Sequence, residues 1–287
     1  MSYKFIFDTS VLDEKSVRDL RNAKIVSACN SGRFAFYMTP VLLKERLHFA
    51  AKGRMPQSAF EPIKLLIDLK WQKLFNEHGG PEGIYTQELE GKSQAEYLFI
   101  DHRSIKENLK LILDGGEFVD EAKQDIANDF KQWASKKYKN RDAYKLMRAN
   151  VTKKLQTDKK LSRKDSNFRS FLELNFEPTA IDKIRKSINS TVSKDRLVEY
   201  WRKHKAQCPY FNKFVEGWLF IPWHFMAVEQ DPKIDPNAYE DVEHLVYLFG
   251  IDCIVSNEKG FMMTASKTLY PDKDFLLVEQ FIMRLRK

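Results

Sequence analysis

A chain of 287 residues, 43% of them hydrophobic, is long enough to bury one large core or two smaller ones, which excludes wholesale disorder. No run of about eighteen uncharged apolar residues occurs, so no membrane-spanning helix is expected. The formal net charge is +8, and the amino terminus, MSYKFIFDTSVL, lacks the apolar run and small-residue cleavage site of a secretory signal, so a cytoplasmic protein is expected. Cys29, Cys208 and Cys253 are odd in number and have no CxxC spacing. They read as reduced, partly buried thiols rather than a disulfide scaffold or a structural zinc site.

Residues 3–7 alternate aromatic, basic and apolar side chains and stop at Asp8-Thr9-Ser10, the pattern of a short core strand with polar groups at its carboxyl end. Ser10 or Asp13 caps a helix predicted to run to about Cys29, and Asn30-Ser31-Gly32 is a turn. A second strand is predicted over 33–38. Thr39-Pro40 then reads as an N-cap and first helical residue, with Leu42, Leu43, Leu47 and Phe49 supplying apolar contacts.

From about 56 to 231 the periodicity is mainly helical. Ile63, Leu66, Ile67, Leu69, Leu74 and Phe75 suggest one helix, and Ile105, Leu109, Ile112 and Leu113 another that stops at Gly115-Gly116. Further helical windows fall at 118–138, 171–188 and 197–204. Toward the carboxyl end a helix is predicted over 236–249 with Gly250 as its C-cap, followed by a buried strand at 253–255 that ends at Ser256-Asn257-Glu258. A strand near 268–270 and a last helix over 275–285 complete the pattern.

Strands joined by helices of this length imply an α/β fold, a parallel sheet flanked by helices, with a large mainly helical insertion. Ligands bind such sheets beyond the carboxyl ends of the strands. The organisation expected is one domain made of 1–80 and 215–287, and a basic, helical insertion or subdomain over 81–214.

Asp8 follows the first strand, Glu45 lies on the early turns of the helix after the second, Asp241 is near the amino end of the 236–249 helix, and Glu258 lies just beyond the next strand. All four carboxylates can converge on one edge of a parallel sheet. Together these segments resemble the PIN-domain family of metal-dependent nucleases, over about the first 55 and the last 70 residues. The family's opening acid followed by hydroxyl residues is similar to Asp8-Thr9-Ser10. Its helix acid is similar to Glu45, and its later aspartate, on a helix ending in Gly-x-Asp, to Asp241 with Gly250-Ile251-Asp252. Its strand-end motif resembles Ser256-Asn257-Glu258-Lys259-Gly260-Phe261, with Glu258 standing where Asp is usual.

The resemblance implies a ribonuclease that uses Mg2+ or Mn2+, with Asp8 and Asp241 as metal ligands and Glu45 and Glu258 as ligands through water or as water-orienting groups. Thr9 and Ser256 would be hydroxyl donors near metal water or phosphate. Clustered carboxylates repel one another, and a hard divalent cation relieves that cost while activating water. Asp235 and Glu240 can stand in for Asp241, or compensate a helix amino terminus.

Between 131 and 170 fourteen basic residues stand against Asp142, Asp158 and Asp165, more than the positive excess of the whole chain. Lys136, Lys137, Arg141, Arg148, Lys153, Lys154, Lys159, Lys160, Arg163 and Lys164 are the cations expected to neutralise phosphates, with Tyr138, Tyr144 and Phe168 available to stack on bases. A solvated charged face explains the same run. RNA, single-stranded or structured, is the expected partner through the resemblance, and a second copy of the chain or a protein partner remains open. Two further readings stand beside the nuclease. One is a catalytically weak or inactive RNA-binding regulatory protein on the same fold, and the other an adaptor whose Trp218, Phe220, Trp223 and Phe225 face a partner. His48 and His244 each follow a candidate acid by three residues, and His224 lies in the aromatic run.

Overall fold

The computed structural model describes residues 2–47, 57–76, 81–94, 98–113, 149, 167–227 and 237–287. Contacts divide the chain into two units, the first made of 1–80, 95–133 and 250–287 and the second of 81–94 and 134–249. Residues 215–249, assigned above to the first unit, group with the second because helix Pro209–Ala227 packs on helices Phe168–Lys186 and Ala238–Val246.

The first unit is built on a mixed six-stranded sheet: β1 (Tyr3–Phe7), β2 (Phe34–Met38), β3 (Trp71–Phe75), β4 (Phe99–Ile100), β5 (Cys253–Ser256) and β6 (Asp274–Leu277). The order is β4-β3-β2-β1-β5-β6. Five strands are parallel, as the alternation of strand and helix predicts, while β4 is antiparallel to β3. The chain re-enters the sheet at the end of β3 from which it left, where the Asn76 N–H donates to the Leu98 carbonyl at 2.9 Å. A strand that returns at that end runs antiparallel.

Phe5, Ile6 and Phe7 are fully buried, the continuous apolar run of a strand covered on both faces. Around them the rings of Phe5 and Phe281 approach to 4.9 Å, Phe5 and Phe36 to 5.3 Å, and Phe34 and Phe281 to 5.6 Å. Tilted and edge-on pairs of this kind contribute about 0.5–1.5 kcal/mol each beyond their buried area. Phe281 lies on the last helix, Val278–Arg286, so the cluster ties the carboxyl end of the chain to its first strand.

Three predicted elements differ in the structure. The helix expected to reach Cys29 is split into Glu14–Asn22 and Ile25–Asn30 by Lys24, whose φ of 59° is left-handed. A continuous helix would set Lys24 on the buried stripe of Val17 and Leu20; the turn exposes the lysine and brings in Ile25 instead. The helix containing Ile63 and Leu66 ends at Asp68, and Leu74 and Phe75 belong to β3. The strand expected near 268–270 is the end of helix Phe261–Leu269, whose buried Phe261, Met262, Ala265, Ser266 and Leu269 recur at helical intervals. The strand is β6, and the last helix begins after it at Val278.

In the second unit the described regular elements are helices Pro81–Leu89, Phe168–Lys186, Lys194–Lys203, Pro209–Ala227 and Ala238–Val246, with 3-10 turns at Lys205–Gln207 and Tyr247–Gly250. Glu88, only 1% exposed, accepts from the backbone N–H groups of Tyr210 (3.1 Å) and Phe211 (2.8 Å). A carboxylate from one helix thereby satisfies the first turn of another, where unpaired donors and the helix dipole favour negative charge. Phe220 and Phe225 are buried and Trp223 packs on Phe168 and Phe220, so the aromatic run serves the interior of this unit. Among the described residues no helix is long and apolar enough to cross a membrane, and Cys29, Cys208 and Cys253 are free and buried.

Candidate functional site

The strand order reverses beside β1: β2, β3 and β4 lie on one side of it, β5 and β6 on the other. At such a reversal the connections leave β1 and β5 in opposite directions and open a crevice beyond their carboxyl ends. Asp8 follows β1, Ser256 closes β5, and Thr39 follows β2. The register Phe7↔Val255 and the bond from the Asp8 N–H to the Val255 carbonyl (2.9 Å) bring Asp8 and Ser256 level with each other.

Asp8 is 6% exposed, and its Oδ2 accepts from Ser256 Oγ at 2.7 Å, from the Ser10 N–H at 3.3 Å and from Ser10 Oγ. The two serine oxygens lie 3.1 Å apart. Burying a carboxylate is costly unless hydrogen bonds replace its water, and here two hydroxyls and a backbone N–H supply them. The backbone of Asp8 also opens the 3-10 turn Thr9–Leu12, so its carboxylate is the N-cap of that turn and Thr9, half-buried, its first residue.

Asn257 extends the network. Its N–H donates to Ser10 Oγ (2.9 Å), and its Nδ2 reaches the Ser10 carbonyl (3.0 Å), Asp13 Oδ2 (3.1 Å) and Ser16 Oγ (2.9 Å). Asp13, not Ser10, caps the following helix through the Ser16 N–H (3.0 Å) and Ser16 Oγ (2.5 Å). Burial opposes ionisation of Asp13, but the hydrogen bonds from Ser16 and from the Lys15 backbone outweigh it and hold the carboxyl below its ordinary range.

The four predicted acids have different surroundings. Asp8 is buried at the strand end. Glu258 is exposed, and its N–H donates to Ser256 Oγ at 3.0 Å, so its backbone is one bond removed from a partner of Asp8. Glu45 belongs to helix Pro40–Leu47, which leaves β2 from the buried Thr39, and its side chain lies outside the described residues. Asp241 is on the first turn of helix Ala238–Val246 in the second unit. Among the described residues no three His, Cys, Asp or Glu side chains form a metal-binding group. The basic residues Lys136, Lys137, Arg141, Arg148, Lys153, Lys154, Lys159, Lys160, Arg163 and Lys164 lie outside the described residues, as do Asp235 and His48.

Ser10, Asn257, Asp13 and Ser16 are the members of the network that sequence reasoning did not assign to the site. Asp-x-Ser carries a local signal, since a short acid readily accepts from the residue two places on. Asn257 carries none, because its side-chain partners lie 241 to 247 residues away. No family model matches the chain, and comparisons with curated proteins and with solved structures give no match either.

Proposed function

We propose that the protein is a ribonuclease that hydrolyses RNA phosphodiester bonds with a divalent cation, Mg2+ or Mn2+, at the carboxyl ends of β1 and β5. One observation carries this reading: the buried carboxylate of Asp8, bonded to Ser256 at 2.7 Å, stands at the reversal of strand order. Its sequence support is the PIN-like order of Asp8, Glu45, Asp241 and Glu258, and the fold proposed is accordingly the PIN-like variant of the α/β class.

The donor set suits such a cation, because a carboxylate and hydroxyls are hard oxygen ligands. When bound, the cation supplies neutralisation of the phosphate and activation of water. Asp8 is the ligand from this edge of the sheet. Ser256 and Ser10 hold its Oδ2 and thereby fix the plane of the carboxylate. The resemblance assigns Thr9 and Ser256 as hydroxyl donors to the phosphate, but the Ser256 proton goes to Asp8, so Ser256 acts by positioning that acid. Glu45 and Glu258 are the further acids of the first unit. Asp241, in the second unit, is assigned a ligand role by the resemblance and is tested by its own variant.

The test is cleavage of a labelled single-stranded RNA by the purified chain with Mg2+ or Mn2+. Asp8→Asn keeps an oxygen that accepts from Ser10 and Ser256, so it should hold the fold while losing cleavage, and Asp241→Asn should do the same. Turnover at the normal rate by folded Asp8→Asn, or by wild type in excess chelator, would sink the assignment. One feature favours the alternative of an RNA-binding protein without activity: the bonds from Ser10 to Asp8 are those of a turn cap. RNA binding without cleavage in either metal supports that alternative.

A further inference from the structure

At the opposite end of the sheet the first unit carries an open groove of about 530 Å³ lined by Asn22, Lys24, Ser27, Ser31, Arg33 and Arg286. Arg33 immediately precedes β2, and its carbonyl accepts from the Tyr3 N–H at 3.1 Å as β1 begins. Arg286 ends the helix that starts after the carboxyl end of β6. The groove therefore belongs to the amino ends of the strands. A five-residue strand, roughly 17 Å long, separates its level from that of Asp8.

Three basic residues, Lys24, Arg33 and Arg286, line this groove, and no acidic residue does. Lys24, Arg33 and Arg286 are exposed and enter no ion pair among the described residues. Arg33 is held in place by other means, donating through Nη2 to the Leu285 carbonyl and lying 5.2 Å from the centre of the Phe34 ring. One donor is used in that bond, and a guanidinium has five. Lys24 occupies the left-handed turn at φ 59°, a backbone that glycine adopts without cost and a side chain does not. The burial of Ile25 sets this turn, and the turn leaves the long cation exposed at the groove.

Positive charges gathered around one groove repel one another, and an anion bound there relieves that repulsion. Ser27 and Asn22 add neutral donors to phosphate oxygens, while the Ser31 hydroxyl is taken by the Ala28 carbonyl at 3.0 Å. The groove is open rather than enclosed, a shape that suits a continuous backbone passing through it. We propose that it is a second RNA-binding site, one that holds phosphodiester groups of the same RNA chain away from Asp8. This inference rests on the RNA substrate of the preceding subsection and not on its chemistry of cleavage.

The experiment measures binding of a fluorescein-labelled 20-nucleotide single-stranded RNA by anisotropy, at several salt concentrations, with chelator present so that cleavage plays no part. The variant is Lys24→Gly with Arg286→Ala, which removes two cations, leaves Arg33 on its carbonyl, and relieves the strained turn. Its melting temperature should equal or exceed that of wild type. Its affinity near 0.15 M salt should fall roughly tenfold, and the slope of log affinity against log salt should lessen by about 1.4, the value for two contacts to a single strand. Unchanged affinity and slope in the folded variant would overturn the proposal, as would wild type failing to bind the RNA. Tighter binding of single-stranded DNA of the same sequence, lost equally in the variant, would overturn the assignment to RNA. A wild type that binds RNA through this groove yet never cleaves it in Mg2+ or Mn2+ leaves this site standing and refutes only the ribonuclease.

Discussion

Ser256 Oγ donates to Asp8 Oδ2 at 2.7 Å while accepting from the Glu258 N–H at 3.0 Å, so one hydroxyl joins the end of β1 to the turn that follows β5. Parallel neighbours whose ends lie level make this contact available, and a serine at the last residue of β5 uses it. The hydroxyl both orients the acid and holds the backbone that carries Glu258.

Replacing Ser256 with Ala removes the donor and leaves the Glu258 N–H without this acceptor. The loss of a hydrogen bond costs about 1 kcal/mol of stability, which a urea unfolding curve reads directly. If Asp8 holds a cation, loss of a group that orients it should lower activity or metal affinity roughly 10–100-fold. Ser256→Thr keeps the hydroxyl and should restore most of the activity. Equal losses in the Thr and Ala variants, with stability intact, would show that the hydroxyl is not what matters.

Asp13 gives the network a pH dependence whose sign follows from its hydrogen bonds. Its folded pKa is depressed below that of the unfolded chain, so ionised Asp13 contributes stability that is fully present above the unfolded carboxyl pKa of about 3.9. That contribution is lost as pH falls through the folded pKa. Asp13→Asn keeps a good N-cap residue while removing the charge. Urea midpoints measured from pH 2.5 to 7 should therefore differ most between wild type and variant above about pH 5 and converge toward acid. A gap that stays constant over the whole range would mean that the Asp13 charge plays no part. Asn257→Ala, which deletes the donor to Asp13 Oδ2 at 3.1 Å, should narrow the same gap.

The ends of β1 and β5 were legible because each apolar run stops at a cluster of short polar residues, Asp8-Thr9-Ser10 and Ser256-Asn257-Glu258. Buried central strands of a parallel sheet announce themselves in this way, since both faces are apolar and the polar groups begin where the strand leaves the core. The network between those ends was not legible. Asn257 reaches Ser10, Asp13 and Ser16 only once the fold has brought together segments more than 240 residues apart. Lys24 was missed because nothing in Asn-Ala-Lys-Ile marks a left-handed turn; the burial of Ile25 imposes it. The segment 261–269 reads ambiguously near its end, where Thr268 and Tyr270 favour a strand, and packing of five residues on one helical face decides the matter.

In the second unit the close approach of two helices depends on Gly217. A Cβ added there would lie 2.2 Å from Val242 Cγ1, where helix Pro209–Ala227 packs on helix Ala238–Val246. Two effects of Gly217→Ala oppose each other. Alanine gains about 1 kcal/mol in helix propensity over glycine, whereas forcing a methyl into a packed contact costs about 1–3 kcal/mol. Val242 is β-branched and confined to one main rotamer in a helix, so it cannot turn away cheaply. The steric cost should win, and Gly217→Ala should unfold at lower urea than wild type. Val242→Ala opens the space, and in that background the same substitution should be neutral or stabilising, giving a favourable coupling in the double-mutant cycle. If Gly217→Ala alone raised the midpoint, the helices would have room to separate and the close packing would not be a constraint on the fold.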